Sequence, residues 1–565
     1  QIHLKEYLGR TWTDELVSYP LDAELAKAEG LAVTDAAGTS VPFQVKDGRI
    51  YLLVTLPADG ELTFTIAPGN AEFPVDRMAS AEQTVEHLVL DSGVMAVRLP
   101  LAFADYFAGT PADRVPGPMQ GIRLGKGPWI GRSWLDAPLK VTGAKTTVTA
   151  TGPLFAEATV DYTFEGGKHY RLSARVIVGQ STAIIDETMD LNPGGKYTLL
   201  TYDDHADAST WEWWSLADSE HLGVKQAEYP RANLIISLKD GLQPNRAEWV
   251  GGRVSQPKYG LDAQGNPLMH VESGRAFVPL TYEADERVNR IAGFWLNSFS
   301  NYSHAYTAYN DADPNLPAVS ISSGRASRNV NPNLLPTPEP WIKQITGFND
   351  LAIWTKPATK DLQAIGPICL GARQWLLTVE PPAALPAKTS DAWPTAFTAH
   401  LKYARYPLDK IKDWSFDWEE PKDAWPRLFC TAGDLAGMQA RVQMAPASQL
   451  SHGSIPAGYK RGGTPEQMGK QALQMLKPYV DGPLTGRGHG SVNWFHASLH
   501  MMSTMPVWEA AMATPGMDPQ TRARIKAYGA FIAQRCWDDD YWPPKETNNG
   551  WGSVNMGTLA GTARV

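Results

Sequence analysis

The run Arg49-Ile50-Tyr51-Leu52-Leu53-Val54-Thr55-Leu56, followed across Asp59-Gly60 by Glu61-Leu62-Thr63-Phe64-Thr65-Ile66, decides how the first part of the chain folds. Both runs are short, rich in β-branched and aromatic residues, and bounded by turn formers, which predicts paired strands rather than helix. The same grammar recurs in Glu157-Ala158-Thr159-Val160-Asp161-Tyr162-Thr163-Phe164 and in Tyr170-Arg171-Leu172-Ser173-Ala174-Arg175-Val176-Ile177-Val178. Glu165-Gly166-Gly167 and Asn192-Pro193-Gly194-Gly195 punctuate these runs. Strands at this spacing imply sandwiches rather than βαβ units.

A small β-sandwich is expected over 1–80, closed by Ala67-Pro68-Gly69-Asn70. A large β super-sandwich is expected over 81–420, opening with Glu86-His87-Leu88-Val89-Leu90 and Gly93-Val94-Met95-Ala96-Val97-Arg98-Leu99. The grammar then becomes helical over 421–565. Thr464-Pro465-Glu466-Gln467 and Asp518-Pro519 are helix starts, with a capping side chain before a proline at the first helical position. Ile525, Tyr528, Ile532 and Cys536 recur at helical spacing. Further helices are expected from Asp434 to Met444, from Trp494 to about Met505 with Pro506 as an interruption, and from Gly557 onward. Helices joined by long polar loops suggest the hairpins of an α/α toroid. These five are too few to close a six-hairpin ring, so the sequence is expected to stop inside its last domain. The fold class expected is multidomain β + α: β-sandwich domains followed by an incomplete α/α toroid.

Length and composition agree with a multidomain globular protein. The chain has 565 residues, 43% of them hydrophobic, more than one core usually serves and too apolar for general disorder. A net charge of −9 argues against a general nucleic-acid binder. No apolar run is long enough to span a membrane. The chain opens on Gln1-Ile2-His3-Leu4-Lys5 rather than on Met and an apolar stretch; a mature secreted protein shows this after signal cleavage, and a trimmed sequence shows it equally. The expected location is secreted or periplasmic. Cys369, Cys430 and Cys536 lie far apart and form neither a disulfide framework nor a zinc motif. Twenty tryptophans and twenty tyrosines are the informative excess. Most fill cores, but flat rings beside polar groups also suit the apolar faces of sugars.

Two polar–aromatic segments stand out in the helical part. In Gly486-Arg487-Gly488-His489-Gly490-Ser491-Val492-Asn493-Trp494-Phe495-His496, glycines let the backbone approach a ligand closely. Asn493 and His496 then fall one turn apart on a helix face. The plainer reading makes Asn493 a helix cap and pairs the histidines locally. The second segment, Asp538-Asp539-Asp540-Tyr541-Trp542-Pro543-Pro544-Lys545-Glu546-Thr547-Asn548-Asn549-Gly550-Trp551, carries acids, an amine, a phenol, amides and two indoles between helices. It reads otherwise as a solvated loop with a turn at Asn548-Asn549-Gly550.

In the β part, the run from Tyr202 to Trp214 sets His205 beside Trp211, Trp213 and Trp214, as a sugar platform with a polar end would. A loop tucked onto the sandwich by its tryptophans is the plainer account. Asp203, Asp204 and Asp207 offer oxygens of the kind calcium prefers, but without EF-hand spacing. Calcium is therefore the cation considered, and no cofactor is required. Phosphate-loop, Rossmann, HExxH and GxSxG motifs are absent, which removes nucleotide, zinc-protease and esterase readings.

A β-rich part leading into an α/α toroid resembles the toroid polysaccharide lyases. The order of small β, large β and helical domains, with Gly486-Arg487-Gly488-His489 and Asn548-Asn549-Gly550-Trp551-Gly552, is most similar to the rhamnogalacturonan exolyase (YetA-like) family. The resemblance implies a cleft between toroid and large β domain, and an acidic polysaccharide or oligosaccharide substrate. Elimination from a uronate removes the C5 proton, which requires the neighbouring carboxylate to be neutralised. Arg487 and Lys545 suit that task, with Asn493 and Asn548 assisting by hydrogen bonds. His489 or His496 would be the base, and Tyr541 the acid that protonates the leaving oxygen. Trp494, Asn549 and Trp551 would bind substrate, with His205, Trp211, Trp213 and Trp214 on the opposing wall. Glycoside hydrolysis is the alternative, drawing two carboxylates from Asp538, Asp539, Asp540 and Glu546, with Glu509 in reserve. A non-catalytic glycan-binding protein is the third reading.

Overall fold

The computed structural model describes residues 1–72, 78–130, 132–136, 139–189, 316–323, 371–381, 399, 402–403, 406–418, 425–426, 431, 433–444, 464–485 and 505–537, with the backbone of further strands between 196 and 367. These residues form mostly antiparallel β-sheet with few helices. The incomplete α/α toroid expected from the sequence is not shown by the described residues.

Six strands make the first sandwich: β1 (Ile2–Lys5), β2 (Trp12–Pro20), β3 (Leu31–Asp35), β4 (Phe43–Lys46), β5 (Arg49–Leu56) and β6 (Glu61–Pro68). One sheet has the order β1-β6-β3 and the other β2-β5-β4. Along β5, Ile50, Leu52, Val54 and Leu56 are buried among Val17, Val33 and Phe64. The alternate residues Tyr51 and Leu53 are half-buried. They pack on Leu154, Phe155 and Ile177 of the large sheet, so β5 is covered on both faces and its pattern is apolar where strict alternation would put polar residues.

The second β region opens with β7 (Ser80–Gln83), β8 (His87–Asp91), β9 (Met95–Pro100), β10 (Phe103–Thr110), β11 (Gly121–Leu124) and β12 (Arg132–Asp136). It continues with β13 (Val141–Ala150), β14 (Phe155–Phe164), β15 (Lys168–Ile177) and β16 (Thr182–Met189). An eleven-stranded sheet runs β10-β13-β14-β15-β16, then through Gly371–Glu380, Ala318–Ser323, Ala305–Asn310, Trp211–Ala217, Ala232–Ser237 and Ala247–Val250. A four-stranded sheet, β11-β9-β8-β7, packs on β14 and β15. Ala158, Val160, Tyr162 and Phe164 point from β14 into the buried layer, as their period of two requires.

The helices are a short turn α1 (Leu408–Ile411), α2 (Leu435–Met444), α3 (Pro465–Thr485), α4 (505–512) and α5 (Pro519–Trp537). Both start signals are realised. The Gln467 N–H donates to Thr464 Oγ1 at 3.2 Å while the Thr464 N–H donates to Gln467 Oε1 at 3.2 Å, a reciprocal capping box. The Thr521 N–H donates to Asp518 Oδ2 at 2.8 Å. Pro506 lies in α4, and the helix expected from Trp494 falls, up to residue 504, outside the described residues. Ile525, Tyr528 and Ile532 are buried on one face of α5.

The first sandwich and the helices share one core. Leu4, Leu8, Trp12 and Leu56 belong to the same buried cluster as Leu476, Trp508, Phe531 and Ile532. The strap after α1 fills the seam, with Phe416 stacked on Tyr7 at 5.5 Å and the Trp414 ring tilted against Phe531 at 5.5 Å. A second contact joins the sandwich to the large sheet. Glu157 on β14 lies between Lys46 of β4 and Arg175, whose Nε donates at 2.7 Å. Burial alone would raise the Glu157 pKa, but Arg175, Lys46 and Thr149 outweigh it and hold the carboxyl below its ordinary value.

Candidate functional site

The geometry of the helix layer bears on where the two polar segments begin. A Cβ on Gly469 of α3 would meet Thr521 Cγ2 of α5 at 2.6 Å, and further along Arg535 Nη1 of α5 donates to the Tyr479 carbonyl at 3.5 Å. Contacts that advance together make α3 and α5 parallel. Between them α4 runs the other way: Trp508 lies against Gly529, and Arg522 Nη1 donates to the Met512 carbonyl at 2.6 Å. The chain therefore leaves α3 at Thr485, and leaves α5 at Trp537, from the same end of the layer. Glu509 is fully buried in α4 and faces the layer rather than solvent.

His489, His496, Tyr541, Arg487, Asn493, Trp494, Lys545, Asn548, Asn549, Trp551 and His205 lie outside the described residues. Trp211, Trp213 and Trp214 fall in a described strand rather than a loop, with the Trp213 backbone opposite Ile236 on one side and Ala308 on the other. Among the described residues no group of three or more His, Cys, Asp or Glu side chains is placed to hold a metal ion; Asp203, Asp204 and Asp207 lie outside them. No described helix is long and apolar enough to cross a membrane.

Beside this end of the layer the structure brings together ionisable groups that the sequence does not advertise. Arg10, from the loop after β1, donates through Nη1 to the Leu484 carbonyl in the last turn of α3 at 2.8 Å. Its guanidinium lies 4.5 Å over the Trp12 ring. Glu15 on β2 is 6% exposed and accepts a long hydrogen bond, 3.4 Å, from the Leu408 N–H. Lys402 Nζ donates to the Thr13 carbonyl at 3.0 Å, and the Tyr403 hydroxyl donates to Gln180 Oε1 at 2.8 Å. First sandwich, large sheet and the segment leading into α1 meet here.

Desolvation dominates the electrostatics of this junction. Burial pushes the Glu15 carboxyl up to about 7 although Lys402, the Leu408 N–H and Arg10 pull the other way. Burial also lowers Lys402 and Arg10 from their ordinary values and raises Tyr403. A carboxyl that titrates near neutrality beside an amine has the chemistry of an acid–base pair. Glu15 is enclosed, however, so its direct effect is on the charge of the junction. Local sequence carries no sign of it, because the burial comes from residues nearly 400 positions away.

No family model matches the chain, and no curated protein matches it. Among solved structures, a protein in glycosyl hydrolase family 38 from Enterococcus faecalis superposes with a TM-score of 0.31 at 9% identity, covering 67% of this chain and 44% of that one. The galactose mutarotase related enzyme from Lactobacillus acidophilus gives 0.24 at 5% identity, over 52% of this chain and 97% of its own. A novel chondroitin lyase, the baculovirus envelope protein ODV-E66, gives 0.16 at 10% identity, over 53% and 55%. The chain spans less than half the length of the Enterococcus protein. Proteins named for carbohydrate chemistry recur here, and the rhamnogalacturonan exolyase family is not shown by them. TM-scores of this size carry no argument about fold or reaction.

Proposed function

We propose that the chain is a secreted or periplasmic polysaccharide lyase, cleaving a uronic-acid-containing polysaccharide of rhamnogalacturonan type by β-elimination, within a division into residues 1–80, 81–420 and 421–565. The observation that supports this reading is the parallel course of α3 and α5. It starts the Arg487–His496 and Asp538–Trp551 segments from one end of one helix layer, as a shared cleft requires.

In this reading Arg487 and Lys545 neutralise the uronate carboxylate, with Asn493 and Asn548 donating hydrogen bonds. His489 or His496 takes the C5 proton, and Tyr541 protonates the departing oxygen. Trp494, Asn549 and Trp551 hold the sugar, with His205, Trp211, Trp213 and Trp214 forming the facing wall. The reading requires no cofactor; a calcium requirement would point to Asp203, Asp204 and Asp207.

The test incubates the protein with a panel of acidic polysaccharides and weighs the products. Elimination yields an unsaturated uronate lighter by one water than the hydrolytic product. Saturated products would sink the lyase reading in favour of hydrolysis, and binding without products would leave a glycan-binding protein. If turnover is eliminative and survives replacement of both His489 and His496 by Ala, the assignment of the base is wrong.

A further inference from the structure

The loop between β1 and β2, residues 6–11, touches both long helices of the layer and is braced by its own hydrogen bonds. The Glu6 carboxylate is buried inside it and accepts the N–H groups of Leu8 and Gly9 at 2.7 Å each and of Asp59 at 3.0 Å. Leu8 is buried in the shared core, and its carbonyl accepts the Tyr528 hydroxyl of α5 at 3.4 Å. Gly9 has φ +72°, and the Arg524 guanidinium of α5 lies so close that a Cβ on Gly9 would meet Nη1 at 2.6 Å. Arg524 also pairs with Asp59. On the other side Arg10 reaches the Leu484 carbonyl of α3.

The last turn of a helix exposes carbonyls with no intrahelical donor, and its dipole favours a cation there. Arg10 supplies both the donor and the charge, from a chain segment 474 residues away. Stacking on Trp12 and the Glu6-bound backbone hold it in place, so the end of α3 is fixed by the first sandwich as well as by its own hydrogen bonds.

We propose that Arg10 is a positioning residue, through which the first sandwich fixes the end of α3 and hence the start of the segment after Thr485. The functional weight of this inference rests on the reading above, in which that segment carries catalytic groups. The first sandwich is then part of the enzyme's working frame rather than a detachable accessory.

The experiment compares the full chain with Arg10→Met, which keeps an unbranched apolar stem but loses the guanidinium with its donor and charge, and with Arg10→Lys, which keeps the charge. Hydrogen exchange is followed at residues 482–485 and, as a reference, along β5. In Arg10→Met the amides at 482–485 are expected to exchange about tenfold faster or more, the effect of losing one charge-assisted hydrogen bond. β5 should be unchanged, and Arg10→Lys should fall between the two. Equal acceleration in β5, or none at 482–485, overturns the inference. On whichever acidic polysaccharide is cleaved, kcat should fall more than KM in Arg10→Met. Absence of turnover in the unaltered protein defeats the lyase reading, while the exchange measurement still decides the role of Arg10.

Discussion

Glu15 couples the junction to pH at the scale of one residue. Its folded pKa of about 7 stands above the ordinary 4.5, so between these values the folded state holds a proton that the unfolded state has released. Stability at this site is therefore full below pH 4.5, falls as pH rises, and is lost above about 7. The difference corresponds to about 3 kcal/mol. Glu15→Gln, which cannot ionise, should raise stability at pH 8 by up to about 3 kcal/mol and leave it nearly unchanged at pH 4. Urea unfolding at both pH values measures this, and an equal effect at both would show that ionisation is not the cause. Gly9 makes a second residue-scale case. Gly9→Ala meets both a left-handed backbone and the Arg524 guanidinium, and should cost about 1–3 kcal/mol in the same assay.

Individual elements were largely legible in the sequence because their signals are local. The run Arg49–Leu56 is β5 as read, and the paired runs at 157–164 and 170–178 are the cores of β14 and β15. The helix starts at Thr464 and Asp518 are legible for the same reason: cap and first turn are neighbours in the chain. Thr464→Ala and Asp518→Ala should each cost about 1 kcal/mol in urea unfolding, with the loss of helical circular dichroism following the same transition. What was not legible depends on distant partners. Tyr51 and Leu53 look like lapses of alternation until the large sheet is seen to cover them. Nothing near Arg10 announces that it ends a helix beginning 455 residues later. Of the proposed site, the residue types of the Arg487 and Asp538 segments were read from the sequence, and the structure adds the common end of the helix layer, at Thr485 and Trp537, after which they follow.

At the scale of the molecule, the first sandwich and the helices pack around one buried cluster. The core that holds Leu52 also holds Phe531, and cutting between sandwich and helices would expose apolar surface on both. Loop 6–11 and the strap after α1 close the seam, while Lys46, Glu157 and Arg175 tie the sandwich to the large sheet. Residues that share a buried cluster unfold together, because opening one part removes the contacts of the other. The sandwich and the helices should therefore melt in one calorimetric transition. Leu52→Ala and Phe531→Ala should both lower that transition, each by about 2–5 kcal/mol at its midpoint, since each leaves a cavity in the same core. Two transitions, with Leu52→Ala moving one and Phe531→Ala the other, would mean that the seam is a contact between independent domains. Arg10 would then hang on a hinge, and the first sandwich could not fix the end of α3.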